Sequence, residues 1–166
     1  MSKAHERVTL PNVTAAERPT PYDAVGGDDA FLALATAHHR RCLADPELEH
    51  PFSGSDLHPQ HVERLAAYWA EVLGGPAHYS RGCADQTHVL WLHSGNGEID
   101  DLGRRFLACF LLALDDAGVP DDPELRACLR AYMEWAVADV LEYSPPEAEV
   151  PAGAAMPRWT WDGLSE

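Results

Sequence analysis

An all-helical domain is what this sequence predicts, and three observations predict it. Apolar residues recur three and four positions apart in several segments, no segment alternates apolar with polar residues as a half-buried strand would, and proline and glycine collect between the periodic segments. The domain is expected over residues 22–143. It follows an N-terminal arm (1–21) that carries Pro11, Pro19 and Pro21 without a helical stripe, and it precedes a Pro- and Ala-rich tail (144–166). A chain of 166 residues supports one core, and 46% hydrophobic content is ordinary for a globular protein.

Helical periodicity sets in at Asp28, after Tyr22-Asp23-Ala24-Val25-Gly26-Gly27. Phe31, Leu34 or Ala35, His38 and Cys42 form one stripe; Leu32, Ala35, His39 and Leu43 form a competing one, and the helix ends near Asp45-Pro46. His38 and His39 lie about 100° apart on a helix, so only one points squarely at the core, and spacing alone does not choose between them. Residues 46–58 read as a connector anchored by Phe52. Pro59 suits the first position of the next helix, where its missing amide hydrogen costs nothing. There His61, Leu65, Tyr68 or Trp69 and Val72 share a face, and Gly74-Gly75-Pro76 stops the helix.

The apolar segment Val89-Leu90-Trp91-Leu92-His93 reads as a short helix closed by Ser94-Gly95-Asn96-Gly97, with Val89 one turn before His93 on the same side. A longer helix is expected to begin near Glu98, its acidic first turn (Glu98, Asp100, Asp101) favouring the positive end of the dipole. Its stripe is Ile99, Leu102, Phe106, Cys109 or Phe110 and Ala113, and Gly118 and Pro120 close it. Asp122-Pro123-Glu124, a cap followed by proline, announces a last helix with Leu125, Leu129, Tyr132 or Met133, Ala136, Val137 and Val140 inward. Trp159 and Trp161 have no periodic context, and the tail is read as mostly disordered.

Composition narrows the function classes. Twelve basic against 27 acidic side chains give a formal charge of -15, which disfavours nucleic acid and anionic membrane as partners. No apolar run approaches the roughly 20 residues that cross a bilayer, and Met1 to Pro21 lacks the apolar core of a secretory signal, so a cytoplasmic protein is expected. Cys42, Cys83, Cys109 and Cys128 are too widely spaced for a metal knuckle or redox pair and are expected as reduced thiols. His58-Pro-Gln-His61 is a poor zinc pair, spanning a proline with no cysteine or carboxylate following at helical spacing.

A single histidine at the end of an apolar segment is ordinarily a core residue bonded to backbone. Two of them, His61 and His93, on core-facing stripes of different helices, need either separate polar partners or one group between them. A planar metal cofactor satisfies both: neutral imidazole is a good iron ligand, and a carbonyl of its own helix end fixes the tautomer of His93. A porphyrin also fills a core made by small helices with few large aromatics.

At these residues the sequence resembles the truncated haemoglobins, and more narrowly their second group. The resemblance is carried by Tyr22-Asp23-Ala24-Val25-Gly26-Gly27, Ala44-Asp45-Pro46-Glu47-Leu48, Glu63-Arg64-Leu65, Gly74-Gly75-Pro76, Tyr79-Ser80 and His93, and it covers about residues 22–143. It implies a shortened globin fold, a two-on-two helical sandwich around haem b (iron protoporphyrin IX). His93 matches the proximal iron ligand, and His39, a position commonly tyrosine, is preferred over His38. Phe52 matches the aromatic that packs on the porphyrin, and His61 and Leu65 match the two main distal positions. Arg64, with Tyr79 and His88, is placed at the rim to meet the propionates, and Val89 lines the proximal side. Phe106 stands where the second group usually has tryptophan, so an apolar wall replaces an indole donor. His39 and His61 are then the expected donors to bound gas, each contributing on the order of 1 kcal/mol. Alternatively His61, if its helix moves inward, ligates the iron itself and leaves no open position for gas, and the sequence does not choose between the two.

The expectation is therefore a haem protein that reversibly binds a diatomic gas, dioxygen first, with nitric oxide or carbon monoxide as other ligands. Two rivals stand beside it. One is a haem-based redox enzyme acting on nitric oxide or peroxide, which needs a separate reductase because no flavin or nicotinamide fingerprint is present. The other is a haem-free interaction module in which His39, His61 and His93 are ordinary core histidines.

Overall fold

The computed structural model describes residues 18–54, 57–97 and 100–165, and among these the chain forms eight helices and one small hairpin. Most of the arm, together with Ser55, Glu98 and Ile99, lies outside the described residues.

The first helix, α1 (Pro21–Val25), is one the periodicity did not predict. Thr20 caps it reciprocally: the Asp23 amide donates to Thr20 Oγ1 at 3.2 Å, and the Thr20 amide donates to Asp23 Oδ2 at 2.9 Å. Pro21 is buried and Thr20 is part of the cap. α2 (Asp28–Ala44) follows and buries Phe31, Leu34, Ala35, Ala37, His38 and Cys42. Phe52, expected in a connector, sits on a one-turn helix, α3 (Glu49–Ser53), too short to show a period.

α4 (His61–Val72) starts two residues after Pro59. The Gln60 amide donates to His58 Nδ1 at 3.0 Å and the His61 amide to the His58 carbonyl at 2.9 Å, so Pro59 sits in a turn that precedes the helix. The helix ends at Val72, and α1 crosses the Gly74-Gly75 turn that follows: the Tyr22 amide donates to Leu73 O at 2.9 Å, and a Cβ on Gly75 would fall 2.6 Å from the Tyr22 ring and 2.7 Å from Ala70 O. That close approach requires glycine.

After α5 (His78–Gly82) and α6 (Gln86–His93) come the two long helices α7 (Asp100–Asp116) and α8 (Pro123–Leu141). Asp122 caps α8, accepting from the Leu125 amide at 2.8 Å. Arg126 ties the α7–α8 turn by donating to Val119 O, Pro120 O and Asp115. α2 packs on α4 and on α7, and α7 packs on α8, giving the two-on-two arrangement. Phe31, Leu34, Trp69, Phe110, Leu129, Tyr132 and Met133 form the centre of the core.

The tail differs from its reading as a disordered segment. β1 (Arg158–Thr160) pairs antiparallel with β2 (Gly163–Ser165), and Trp159 is only 8% exposed, its ring 5.8 Å from Tyr132 and 5.7 Å from Trp135. Trp161 Nε1 donates to Pro19 O at 2.8 Å, and Arg18 lies 4.1 Å over the Trp161 ring. Burial of a large aromatic supplies enough driving force to hold such a segment down.

Candidate functional site

Adjacent histidines on α2 meet different surroundings. His38 is fully buried among aromatic rings, with Phe106 at 4.3 Å, Trp69 at 5.3 Å and Phe110 at 6.2 Å between centroids. Its Nε2 lies 3.3 Å from the Phe106 carbonyl, and Cys42 Sγ lies 3.5 Å away. Burial pushes the His38 imidazole down from about 6.5 to about 4, and the Phe106 carbonyl only partly offsets this.

The fold thus keeps His38 neutral across a window, between about pH 4 and 6.5, in which the unfolded chain takes up a proton. The unfolded state binds more protons there, so stability is full above about pH 6.5 and falls as pH drops toward 4, by up to about 3 kcal/mol. Melting midpoints followed from about pH 7.5 to about pH 4.5 should therefore fall more steeply in the wild type than in His38→Leu. Equal slopes would show that His38 is protonated inside the fold.

His39, one residue on, turns toward α4. Its ring is 5.5 Å from that of His61 and 6.1 Å from Phe52, and Phe52 is 6.2 Å from His61. Phe106 of α7 stacks on Phe52 at 5.9 Å. His39, Phe52, His61 and Phe106 therefore share one place in the fold. His39 Nδ1 and His61 Nε2 are both buried, and neither has a hydrogen-bond partner among the described residues. Burial lowers the proton affinity of both rings, and His61 is lowered further by His39, His93 and His58. Both are neutral at pH 7, and each can place one N–H toward the space they border.

His93 ends α6. Its Nδ1 donates to Val89 O at 2.8 Å, one turn back, which puts the proton on Nδ1 and leaves the Nε2 lone pair free. Asp85 caps the helix by accepting from the His88 amide at 2.9 Å. His88 is exposed and stacks on Trp91, itself 64% exposed. Leu65 and Val89 are half-buried. Tyr79 is buried against Tyr68 at 5.1 Å, and burial raises its phenol while the Arg64 guanidinium beside it acts in the opposite sense.

One anchor of α6 was missed at the sequence level. Gln86 is buried and its Oε1 accepts from Tyr68 of α4 at 2.9 Å. A glutamine in the first turn of an apolar helix was a signal, but nothing local pointed to Tyr68.

Residues 20–139 match the model of the bacterial-like globins. The chain belongs to the bacterial-like globin family. Among curated relatives, a group 1 truncated hemoglobin of Nostoc commune is 33% identical to this globin over 70 residues, a stretch that covers 42% of this chain and 58% of the relative. Among solved structures, a hemoglobin from Chloroflexus aurantiacus superposes with a TM-score of 0.63 at 28% identity, over 74% of this chain and 98% of its own. A thermostable hemoglobin from Thermobifida fusca gives 0.60 at 27% identity, over 82% and 100%. The group II truncated hemoglobin of Bacillus anthracis gives 0.66 at 20% identity, over 80% and 98%, a likeness of fold. The globin's fold is thus the shortened globin fold.

The donor set fits a haem. Buried polar atoms in proteins are almost always paired, yet two imidazole nitrogens beside apolar Phe52 have no partner among the described residues, while a third imidazole is fixed in the tautomer an iron ligand needs.

Proposed function

We propose that this globin holds one haem b and reversibly binds a diatomic gas, dioxygen first. The observation that carries the reading is the pair His39 Nδ1 and His61 Nε2, buried and without a hydrogen-bond partner among the described residues. Bound haem would supply an iron centre at which a diatomic gas is held. His93 is the residue that would supply an imidazole to the iron, and its bond to Val89 O fixes the ring orientation and the tautomer. Phe52, Leu65, Val89 and Phe106 exclude water from the pocket. Arg64, Tyr79 and His88 serve the propionates at the rim. His39 and His61 each hold a neutral N–H as a donor to a ligand that carries partial negative charge.

Within the family we keep the group II assignment suggested by Gly74-Gly75-Pro76 and Tyr79-Ser80. The curated relative reported above is named as group 1, and that match covers 42% of this chain. The neutrality of His61 favours one second reading, in which its imidazole acts as the acid–base group for peroxide or nitric oxide chemistry with electrons from a separate reductase.

Hemin titration tests the first reading. One equivalent is expected to give a sharp Soret band, and colourless protein at saturating hemin would end it. His39→Leu and His61→Leu are each expected to raise the dioxygen dissociation rate about fivefold to tenfold, the loss of one hydrogen bond. Wild-type rates in both would remove them from the gas site, and rapid turnover of peroxide lost in His61→Leu would favour the second reading.

A further inference from the structure

Beyond α8 the chain turns back along α6. At the C-terminal end of that helix, the Gly95 amide donates to Tyr143 O at 3.0 Å and the Gly97 amide to Ser144 O at 2.9 Å. At its N-terminal end, Thr87 Oγ1 donates to Pro151 O at 2.9 Å and accepts from the Ala154 amide at 2.9 Å. Residues 143–154 are therefore a strap that grips α6 at both ends. The strap is pinned further on, where Trp159 is buried against Tyr132 and Cys128 Sγ donates to Thr160 O at 3.6 Å. Tyr143, Ser144, Pro151 and Ala154 all lie beyond the stretch matched to the family, residues 20–139.

α6 needs outside support. It has eight residues, too few to hold a helix by its own hydrogen bonds, and Trp91 and Leu92 on it are exposed. Gln86 is tied inward to Tyr68, and Thr87, the next residue, is tied outward to the strap. Together these bonds restrain both position and rotation of a helix whose last residue is His93.

We propose that the strap 143–154 positions His93, and that Thr87 is the positioning residue through which it acts. The Thr87 hydroxyl both gives and receives a hydrogen bond to the strap, so it fixes where the first turn of α6 sits, and the bonds to Gly95 and Gly97 fix the other end. The inference rests on the haem reading above insofar as His93 is the ligand.

Full-length Thr87→Val and Thr87→Ser test it. Valine keeps the β-branched shape and loses both hydrogen bonds, and serine restores them. Two readouts are taken: amide hydrogen exchange over residues 88–93, with and without hemin, and the iron–imidazole stretching band of the ferrous hemin-loaded protein. Thr87→Val is expected to exchange about tenfold faster over that segment and to shift or broaden the band, with Thr87→Ser close to wild type in both. Wild-type behaviour of Thr87→Val in both readouts overturns the proposal. Faster exchange with an unchanged band also overturns it, because the strap then steadies the helix without setting His93. If the wild type takes up no hemin, the haem reading fails instead, and exchange in the haem-free protein alone decides whether the strap holds α6.

Discussion

His93→Ala is expected to fold and to lose stoichiometric haem. The side chain is exposed and, among the described residues, its hydrogen bond runs to Val89 O within the same helix, so its removal costs the haem-free fold little. It leaves no imidazole at the end of α6, and His39 and His61 belong to α2 and α4. The ratio of Soret to protein absorbance after gel filtration is the direct measurement, expected near full occupancy for wild type and at a small fraction of it for the variant. A second effect follows by linkage. A ligand held only by the native state at about a thousandfold its dissociation constant adds roughly 4 kcal/mol, so hemin should raise the melting temperature of wild type and leave that of His93→Ala nearly unchanged. Full retention with an unaltered spectrum would place the ligand elsewhere.

Trp159→Ala is expected to destabilise the whole domain by about 3–5 kcal/mol, the range for removing a large buried aromatic. The substitution removes the ring that packs against both Tyr132 and Trp135 and that joins the hairpin to the main core cluster. Urea unfolding gives the value. A loss below about 1 kcal/mol, as for a surface residue, would mean that the tail does not dock in solution.

Much of the helical frame was readable because its signals are local. Gly26-Gly27 before Asp28, Asp45-Pro46 after Ala44, and Asp122-Pro123 before Glu124 mark helix ends through capping and proline chemistry that any observer of the chain can apply. What escaped was non-local or too short to be periodic. α3 is one turn long and presents Phe52 without a stripe. The hairpin depends on a contact between Trp159 and residues more than twenty positions earlier. His38 and His39 could not be told apart by spacing, because each belongs to an apolar stripe. Phe52 touches both, but the rest of their surroundings separates them: Trp69, Phe106 and Phe110 close around His38, whereas His61 borders His39. Family likeness pointed to His39 where periodicity was silent, and its role as gas donor is the part of the proposal that dissociation rates decide.

Trp161 donating to Pro19, with Arg18 laid over its ring, places the segment that enters the globin beside the segment that leaves it. Topologically the backbone is nearly a closed circuit. A short linker from residue 165 to residue 18 would complete that circuit. A protein joined directly at residue 18 or at residue 165 would emerge from the same pole of the molecule.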